Sequence, residues 1–253
     1  MAYTIAIAGK GGTGKTTFSA MLIKELMGKS DKPVLAVDAD PNTNLHEVLG
    51  LDLPGTIGDI REETIEKIDK LPSGMTKAQF IQYSIRENMV ESPGLDLIAM
   101  GRPEGPGCYC FVNNLLRTFL DSLSRDYSFI VIDNEAGLEH LSRRTTRNVD
   151  LLLAVSVPNL VALRSAYRIQ EMTKSLKLQV KDSYLVINRA NGSLSSEFLE
   201  EMNQGNLSLA GRIPDDPIVE EYGLSGKSVL SLPDDSLFLK AVREMLNNIH
   251  LPI

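Results

Sequence analysis

Short apolar runs alternate with amphipathic stretches along the chain. The apolar runs are rich in Ile, Val and Leu with little polar alternation, which is typical of parallel strands buried on both faces. They predict strands over residues 4–8, 34–38, 95–99, 129–133, 151–157, 183–188 and 207–213. The amphipathic stretches predict helices over residues 16–27, 77–87, 112–123, 138–147, 160–176 and 236–249.

This alternation of strands and helices predicts a three-layer α/β fold, in which a mostly parallel sheet is covered by helices on both faces. We expect a single domain over residues 1–253. Two stretches depart from the pattern, because residues 54–92 are charged and mostly polar and residues 100–111 are rich in Gly and Pro. We interpret both stretches as insertions at the working edge of the sheet rather than as separate domains.

The composition argues against several classes of protein. The 253 residues include 26 basic and 33 acidic side chains, and the net charge of −7 argues against a protein that coats nucleic acid or anionic lipid. No apolar run reaches the roughly 18–20 residues of a membrane span, and no secretory leader is recognisable. The chain has only two cysteines, so a reducing, cytoplasmic location is expected. We expect neither a nucleic-acid nor a membrane partner.

A glycine-rich loop joins the first predicted strand to the first predicted helix. It satisfies the pattern G-x-x-x-x-G-K-[ST] in the strand–loop–helix context of a phosphate-binding loop, and so predicts a P-loop NTPase. Glycines let backbone N–H groups turn toward a phosphate, and the helix N-terminus adds positive charge. Lys15 offers a charge to the β- and γ-phosphates, and the Thr16 hydroxyl can bind Mg²⁺. The nucleotide-binding candidates are Gly9, Gly11, Gly12, Thr13, Gly14, Lys15, Thr16 and Thr17.

Carboxylates end two of the predicted strands. Asp38 and Asp40 close the second strand, and Asp133 closes the fourth, with Gly137 four residues later. Ligands of open α/β sheets lie beyond the carboxyl ends of the strands, so these carboxylates can hold a Mg²⁺ shell and orient an attacking water. We interpret Asp133 as the Walker B carboxylate and the Gly137 amide as a γ-phosphate contact. Asp40-Pro41 can also be a turn that stops the strand, and both interpretations can hold together.

Lys10, at the second position of the loop, is not needed to wrap a phosphate. This variant resembles the deviant phosphate loop of the family that includes the nitrogenase iron protein, the Min and Par positioning ATPases and metal-insertion ATPases. The resemblance implies a homodimer in which Lys10 reaches the nucleotide of the partner, with Asp40 activating water and Asp38 as its metal-side helper. Dimerisation and hydrolysis would then be one event, because a cation arrives where transition-state charge develops. The alternative is a solvated loop lysine.

Two later segments resemble the base-binding region of the same family. The base-contacting candidates are Asn188, Arg189, Pro214, Asp215 and Asp216. Asn188 would act as the amide donor and acceptor. Asn191 stands where GTPases carry the aspartate that binds guanine, so adenine, and therefore ATP, is favoured. Either segment can also be an ordinary turn.

The two cysteines, Cys108 and Cys110, lie one residue apart in a polar stretch rich in Gly and Pro. Buried, inert thiols are the usual interpretation of such a pair. A nearby helix N-terminus would instead favour the thiolate form that binds metal, and both sulfurs can face one way in extended chain. Two thiolates are half of a tetrahedral sulfur site, and a two-fold dimer would supply the other two. Zn²⁺ suits four thiolates, and Ni²⁺ could use the same ligands in a planar arrangement.

Together, these features resemble the CooC/AcsF-type ATPases, which mature the nickel sites of carbon monoxide dehydrogenase and acetyl-CoA synthase. The likeness rests on Lys10 in its loop, on residues 38–41, on Cys108-Tyr109-Cys110 and on residues 135–141, and it extends from residue 4 to about residue 245. It implies an ATP-gated homodimer that binds nickel through the paired cysteines and helps to insert it into a client enzyme. No motif identifies the client.

Three other functions remain open at this point. An iron–sulfur reductase of the nitrogenase iron-protein type also uses two cysteines per chain, but draws them from two separate segments. A Min- or Par-type positioning ATPase needs a basic amphipathic tail or a basic face. The last predicted helix carries only Lys240 and Arg243 as cations, which favours a helix packed on the core. A small-molecule kinase would leave Lys10 and the cysteine pair without a role.

Overall fold

The computed structural model describes residues 2–67, 74–102, 118, 120, 123–137, 148–249 and 251–252. The strands are β1 (Tyr3–Gly9), β2 (Val34–Asp38), β3 (Val90–Ser92), β4 (Leu95–Ala99), β5 (Phe129–Ala136), β6 (Asn148–Ser156), β7 (Gln179–Ile187) and β8 (Ser208–Arg212). The helices are α1 (Lys15–Met27), α2 (Leu45–Leu49), α3 (Ile57–Lys67), α4 (Lys77–Glu87), α5 (Leu160–Ser175), α6 (Ser196–Gln204), α7 (Pro217–Ser225) and α8 (Leu237–Asn248), with a 3₁₀ turn at Val229–Ser231.

All eight strands of the described chain form one sheet in the order β3-β4-β2-β5-β1-β6-β7-β8. Neighbouring strands are parallel, except that β3 pairs antiparallel with β4 at the edge. The predicted mostly parallel α/β sheet is therefore confirmed. β3 escaped the sequence prediction because it has three residues, none of them fully buried, and therefore lacks the apolar run of the central strands.

The core lies on both faces of the sheet, because alternate residues of the buried strands point to opposite sides. Ile5 and Ile7 join one cluster with α1 and α8, whereas Ala6 and Ala8 join a second cluster with α3 and α4. The last helix, α8, buries five side chains against β8 and α1. Its predicted packing on the core is confirmed. The Ser236 hydroxyl caps its N-terminus by accepting the Leu239 N–H.

The helices predicted over residues 16–27, 77–87, 160–176 and 236–249 are also confirmed. The helix predicted over residues 112–123 lies largely outside the described residues, and that over 138–147 lies entirely outside them. Four helices were missed. α2 has only five residues, α3 lies in the charged stretch, and α6 and α7 bury one side chain and none, respectively. Little apolar periodicity therefore marks α2, α3 and α7 in the sequence, whereas α6 carries Phe198, Leu199 and Met202 at helical spacing and was missed in spite of that signal.

The charged stretch over residues 54–92 folds into α3, α4 and β3. α4 begins at a reciprocal capping box, in which Thr76 and Gln79 bond to each other's backbone N–H groups. Isoleucines of α3 and α4 pack in one cluster with Leu35 and Val37 of the sheet. The interpretation of this stretch as an insertion in a single domain stays a prediction.

None of the helices in the described part of the chain combines the length and apolar character that crossing a bilayer requires.

Candidate nucleotide-binding site

The glycine-rich loop lies between the end of β1 and the start of α1, where the strand–loop–helix pattern predicts it. Gly12 and Gly14 have φ angles of +79° and +80°, which residues with a Cβ rarely adopt. A Cβ on Gly9 would overlap the Val155 carbonyl oxygen, and one on Gly14 would overlap the Asn188 amide nitrogen. Gly9 is thus required by a close neighbour, and Gly14 by both a close neighbour and its positive φ.

Hydrogen bonds inside the loop keep its backbone curled. The Lys10 carbonyl oxygen accepts from the Thr13 hydroxyl at 2.9 Å and from the Lys15 ammonium at 3.4 Å. Around Gly11 and Gly12 an added Cβ would meet no atom within 4 Å, so this side of the loop is open. The N-terminus of α1 has no side-chain cap, which leaves its N–H groups for an anion. Such a cradle suits a phosphate chain.

The carboxylates of Asp38 and Asp133 stand side by side on neighbouring strands, because the two residues are register partners between β2 and β5. Burial raises the pKa of Asp38 to about 7, and the charge of Asp133 adds to that rise. Burial also raises the pKa of Asp133 to about 6, opposed by hydrogen bonds from the Thr16 and Ser19 hydroxyls and by the charge of Lys15. The Ser19 hydroxyl donates to Asp133 at 2.9 Å.

The Mg²⁺ candidates therefore come together in part: the Thr16 hydroxyl and the Asp133 carboxylate are in contact. Among the described residues, no three Asp, Glu, His or Cys side chains form a metal cluster. Mg²⁺ in nucleotide sites uses one or two protein oxygens and completes its shell with phosphates and water. A hydroxyl beside a carboxylate at the phosphate loop fits that type of site.

Asp38 and Asp40 have different surroundings. Asp38 is buried, and its carboxylate accepts the backbone N–H groups of Asp40 at 3.0 Å and of Leu45 at 2.9 Å. It thereby shapes the turn between β2 and α2. Asp40 is partly exposed, and one oxygen accepts both the backbone N–H and the side-chain amide of Asn42. Asp40 is thus the more accessible of the two to water and phosphate.

We expect the buried Asp38 to make the nucleotide-free protein less stable as pH rises. Its folded-state pKa of about 7 lies above the ordinary pKa of 3.8, so the folded state keeps a proton that the unfolded state loses. The sign is therefore a loss of stability between about pH 4 and pH 7, on the order of 3 kcal/mol. Asp38→Asn should remove most of this loss in urea unfolding at pH 5 and pH 7, whereas the exposed control Asp52→Asn should retain it. An unchanged pH difference in Asp38→Asn would contradict the burial argument.

Sequence reasoning missed Asn134, which follows Asp133 on β5. The register of β1 with β5 shifts between Ile7 and Gly9, so the ladder is irregular at this point. The buried Asn134 amide donates to the Ile7 carbonyl at 2.9 Å and replaces part of the ladder. Its Oδ1 is buried without a hydrogen-bond partner among the described residues. The signal available in the sequence was an asparagine that continues the apolar run of β5 directly after Asp133.

The base-binding candidates line a cavity of about 660 Å³ beside the loop. The Asn188 amide nitrogen donates to the Thr13 carbonyl at 2.9 Å, so the donor side of this residue already serves the phosphate loop. Its Oδ1 is buried without a hydrogen-bond partner in the described part of the chain and is an acceptor. Arg189 lines the same cavity and has a φ of +54°.

The loop after β8 contributes Pro214, Asp215 and Asp216 to this cavity. Asp215 is joined to Asn191 by two hydrogen bonds, with the Asn191 amide donating at 2.6 Å and its oxygen accepting at 3.0 Å.

Asp216 has a structural task of its own. Its carboxylate accepts from Ile218 N–H at the start of α7 and from the Ser236 hydroxyl and Phe238 N–H at the start of α8. Burial alone would raise the pKa of Asp216, but these hydrogen bonds lower it below its usual value. Asp216 therefore joins two helix N-termini at the edge of the cavity.

Some of the predicted site residues lie outside the described residues, and others are described but have open surroundings. Cys108 and Cys110 lie outside the described residues. Gly137, at the end of β5, has a φ of +117° and no neighbour within 4 Å of an added Cβ. The Lys10 side chain is exposed, and Thr17 lines the cavity near Gly14.

Comparisons with known proteins support a nucleotide-binding site at this position. The model of the CobQ/CobB/MinD/ParA nucleotide binding domain matches residues 4–229. The chain is 43% identical to an uncharacterized ATP-binding protein of Methanocaldococcus jannaschii, covering 97% of each chain. It is 28% identical to the carbon monoxide dehydrogenase accessory protein CooC of Rhodospirillum rubrum, covering 90% of this chain and 89% of CooC.

Solved structures show the same fold. The cell division ATPase MinD of Pyrococcus furiosus superposes with a TM-score of 0.70 at 23% identity, covering 98% of each chain. MinD of Pyrococcus horikoshii, complexed with Mg-ADP, gives a TM-score of 0.67 at 22% identity, covering 97% of this chain and 94% of that one. With the family model spanning most of its length, the chain belongs to the CobQ/CobB/MinD/ParA family of nucleotide-binding domains and is a P-loop ATPase.

Proposed function

We propose that the protein is an ATP-dependent metallochaperone. Two subunits form an ATP-gated homodimer that binds one Ni²⁺ or Zn²⁺ ion through Cys108 and Cys110 of each chain. The dimer assists nickel insertion into a client enzyme, carbon monoxide dehydrogenase or acetyl-CoA synthase. The observation that carries the proposal is the Cys-x-Cys pair in a chain with the Lys10 loop, and its similarity along most of its length to CooC supports it.

The nucleotide we propose is ATP with Mg²⁺. Adenine presents an amino group where guanine presents a carbonyl oxygen, and the acceptor Oδ1 of Asn188 suits the amino group. Asn191 lacks the charge that would bind the guanine ring. The Mg-ADP bound to the similar MinD supports the same choice.

In this mechanism the loop amides and Lys15 hold the β- and γ-phosphates. Thr16 and Asp133 would hold Mg²⁺, which would neutralise phosphate charge when bound. Asp40 accepts a hydrogen bond from the attacking water and orients it, while Asp38 holds the turn that carries Asp40. Lys10 of the partner subunit meets the charge that develops on the phosphates during transfer. After hydrolysis the two subunits separate again.

Coupling to metal requires only that ATP and metal each bind the same dimer state more tightly than they bind the other state. If the cysteine pairs face each other in the ATP-bound dimer, four thiolates surround one ion, and in the separated state each chain offers two. By thermodynamic linkage, ATP must change metal affinity by the same factor by which metal changes ATP affinity.

We expect Cys108→Ser/Cys110→Ser to abolish binding of Ni²⁺ and Zn²⁺, because the serine hydroxyl is a poor ligand for these ions compared with a thiolate. Basal ATP hydrolysis should stay within about threefold of wild type, since neither cysteine belongs to the phosphate loop or the carboxylates. Metal content after dialysis and ATP turnover give the two readouts. Full metal binding by the double variant would overturn the cysteine assignment.

A positioning ATPase of the Min or Par type is the second candidate, favoured by the superposition on MinD. Such a function needs a surface for membrane or DNA, and the apolar side of α8 packs on the core. Co-sedimentation with anionic vesicles or a shift of duplex DNA upon addition of ATP, without metal binding, would decide for this candidate. A brown colour after anaerobic purification would instead indicate an iron–sulfur reductase.

A further inference from the structure

Residues 100–102, which lead into the stretch with the cysteines, are tied to the nucleotide site by backbone contacts. The Met100 N–H donates to the Asp38 carbonyl at 2.8 Å, and the Gly58 N–H donates to the Met100 carbonyl at 2.9 Å. Gly101 has a φ of +67°, and a Cβ there would overlap the Thr56 side chain. The chain therefore leaves β4 with little freedom, beside the residue that holds the turn of Asp40.

A chain of side chains continues this link to the catalytic carboxylate. The Arg102 guanidinium donates to Asn42 Oδ1 at 2.6 Å. The Asn42 amide donates to Asp40 Oδ1 at 3.0 Å, and the Asn42 backbone N–H donates to the same oxygen at 2.9 Å. Asp40 therefore cannot turn toward the phosphates with both bonds kept, and a movement of Asn42 withdraws the acceptor of Arg102.

We propose that Arg102 and Asn42 form a relay between Asp40 and the segment that carries the cysteines. Arg102 acts as a positioning residue that makes metal affinity respond to the nucleotide. Cys108 lies six residues after Arg102, so at most about 20 Å of extended chain separates them. The relay rests on the proposed metallochaperone function and names the residues that regulate it.

The test compares Arg102→Ala with Arg168→Ala, an exposed arginine on α5 that bonds only to its own helix among the described residues. Zn²⁺ affinity is measured by competition with a chromogenic chelator, in the presence of ADP and of a non-hydrolysable ATP analogue. In wild type and Arg168→Ala the two affinities should differ by about tenfold, an ordinary coupling between sites. In Arg102→Ala the ratio should fall by about threefold or more, toward the part that dimer formation alone supplies, with affinity in ADP retained.

Asn42→Ala should lower the ratio of the two Zn²⁺ affinities as much as Arg102→Ala does, because it removes the middle of the relay. A merely structural role for Arg102 would lower stability or affinity without moving the ratio, so the ratio is the deciding readout. If wild type and Arg102→Ala give the same nucleotide-dependent ratio, the relay is wrong and the proposed function stands. If wild type binds no metal or shows no ratio, the proposed function fails and the relay with it.

Discussion

Replacing Lys10 by alanine is expected to slow ATP hydrolysis by about 10³-fold, the lower end of the effect of a trans-acting cation in phosphoryl transfer. ATP affinity should change little, because within its own loop Lys10 contributes its carbonyl oxygen, which Lys10→Ala retains. The exposed Lys10 ammonium has no ion pair among the described residues and is available to a second chain. Single-turnover hydrolysis and nucleotide binding separate the two quantities.

Lys174→Ala is the matched control, since this exposed lysine lies in the last turn of α5, which leads to the start of β7 at the amino ends of the parallel strands, away from the phosphate loop. Mixing Lys10→Ala with Asp40→Asn gives a sharper test. Half of the dimers would be mixed, each with one site that has Asp40 and receives Lys10, so roughly a quarter of wild-type activity should return. Normal hydrolysis by Lys10→Ala alone would show that the lysine does not act across a dimer.

Gly14→Ala is expected to weaken ATP binding by about 100-fold or more, because two costs act at the loop itself. The residue has a φ of +80°, and the new Cβ would overlap the Asn188 amide nitrogen. Asn188 is buried and donates to the Thr13 carbonyl, so moving it away loses that bond and displaces the acceptor that we propose for the base. Isothermal titration with ATP measures the loss.

Gly226→Ala separates the backbone cost from the clash. Gly226 also has a left-handed φ, +63°, but an added Cβ would meet no atom within 4 Å. It ends α7, so this change should lower the free energy of unfolding by about 1 kcal/mol and leave ATP affinity unchanged. Equal ATP affinities for Gly14→Ala and wild type would contradict the described packing of the loop against Asn188.

The sequence predicted the central strands and the phosphate loop because both are local signals. β2 is buried at every position and therefore reads as an apolar run, and the glycines of the loop stand at fixed spacing. Short or exposed elements such as β3 and α7 have no such pattern, and only contacts with the rest of the chain define them.

Contacts between residues far apart in the chain could also not be predicted from the sequence. Ser19 bonds to Asp133, and Arg102 to Asn42, over separations that no spacing rule connects. Asp216 illustrates the same limit, because its motif suggested a base contact while its carboxylate joins two helix N-termini. Resemblance supplied roles for Lys10 and Asp40, and the fold placed Asp40 in an accessible turn near Asp133, which contacts Thr16 of the loop.

In the proposed mechanism, two chains share one metal ion when ATP is bound. Molecular mass by light scattering, combined with elemental analysis of the same fraction, measures this with ADP and with a non-hydrolysable ATP analogue. We expect a dimer with one Ni²⁺ or Zn²⁺ per two chains in the ATP-like state, and loss of the ion in Cys108→Ser/Cys110→Ser. One tightly bound ion per monomeric chain, in either nucleotide, would contradict it.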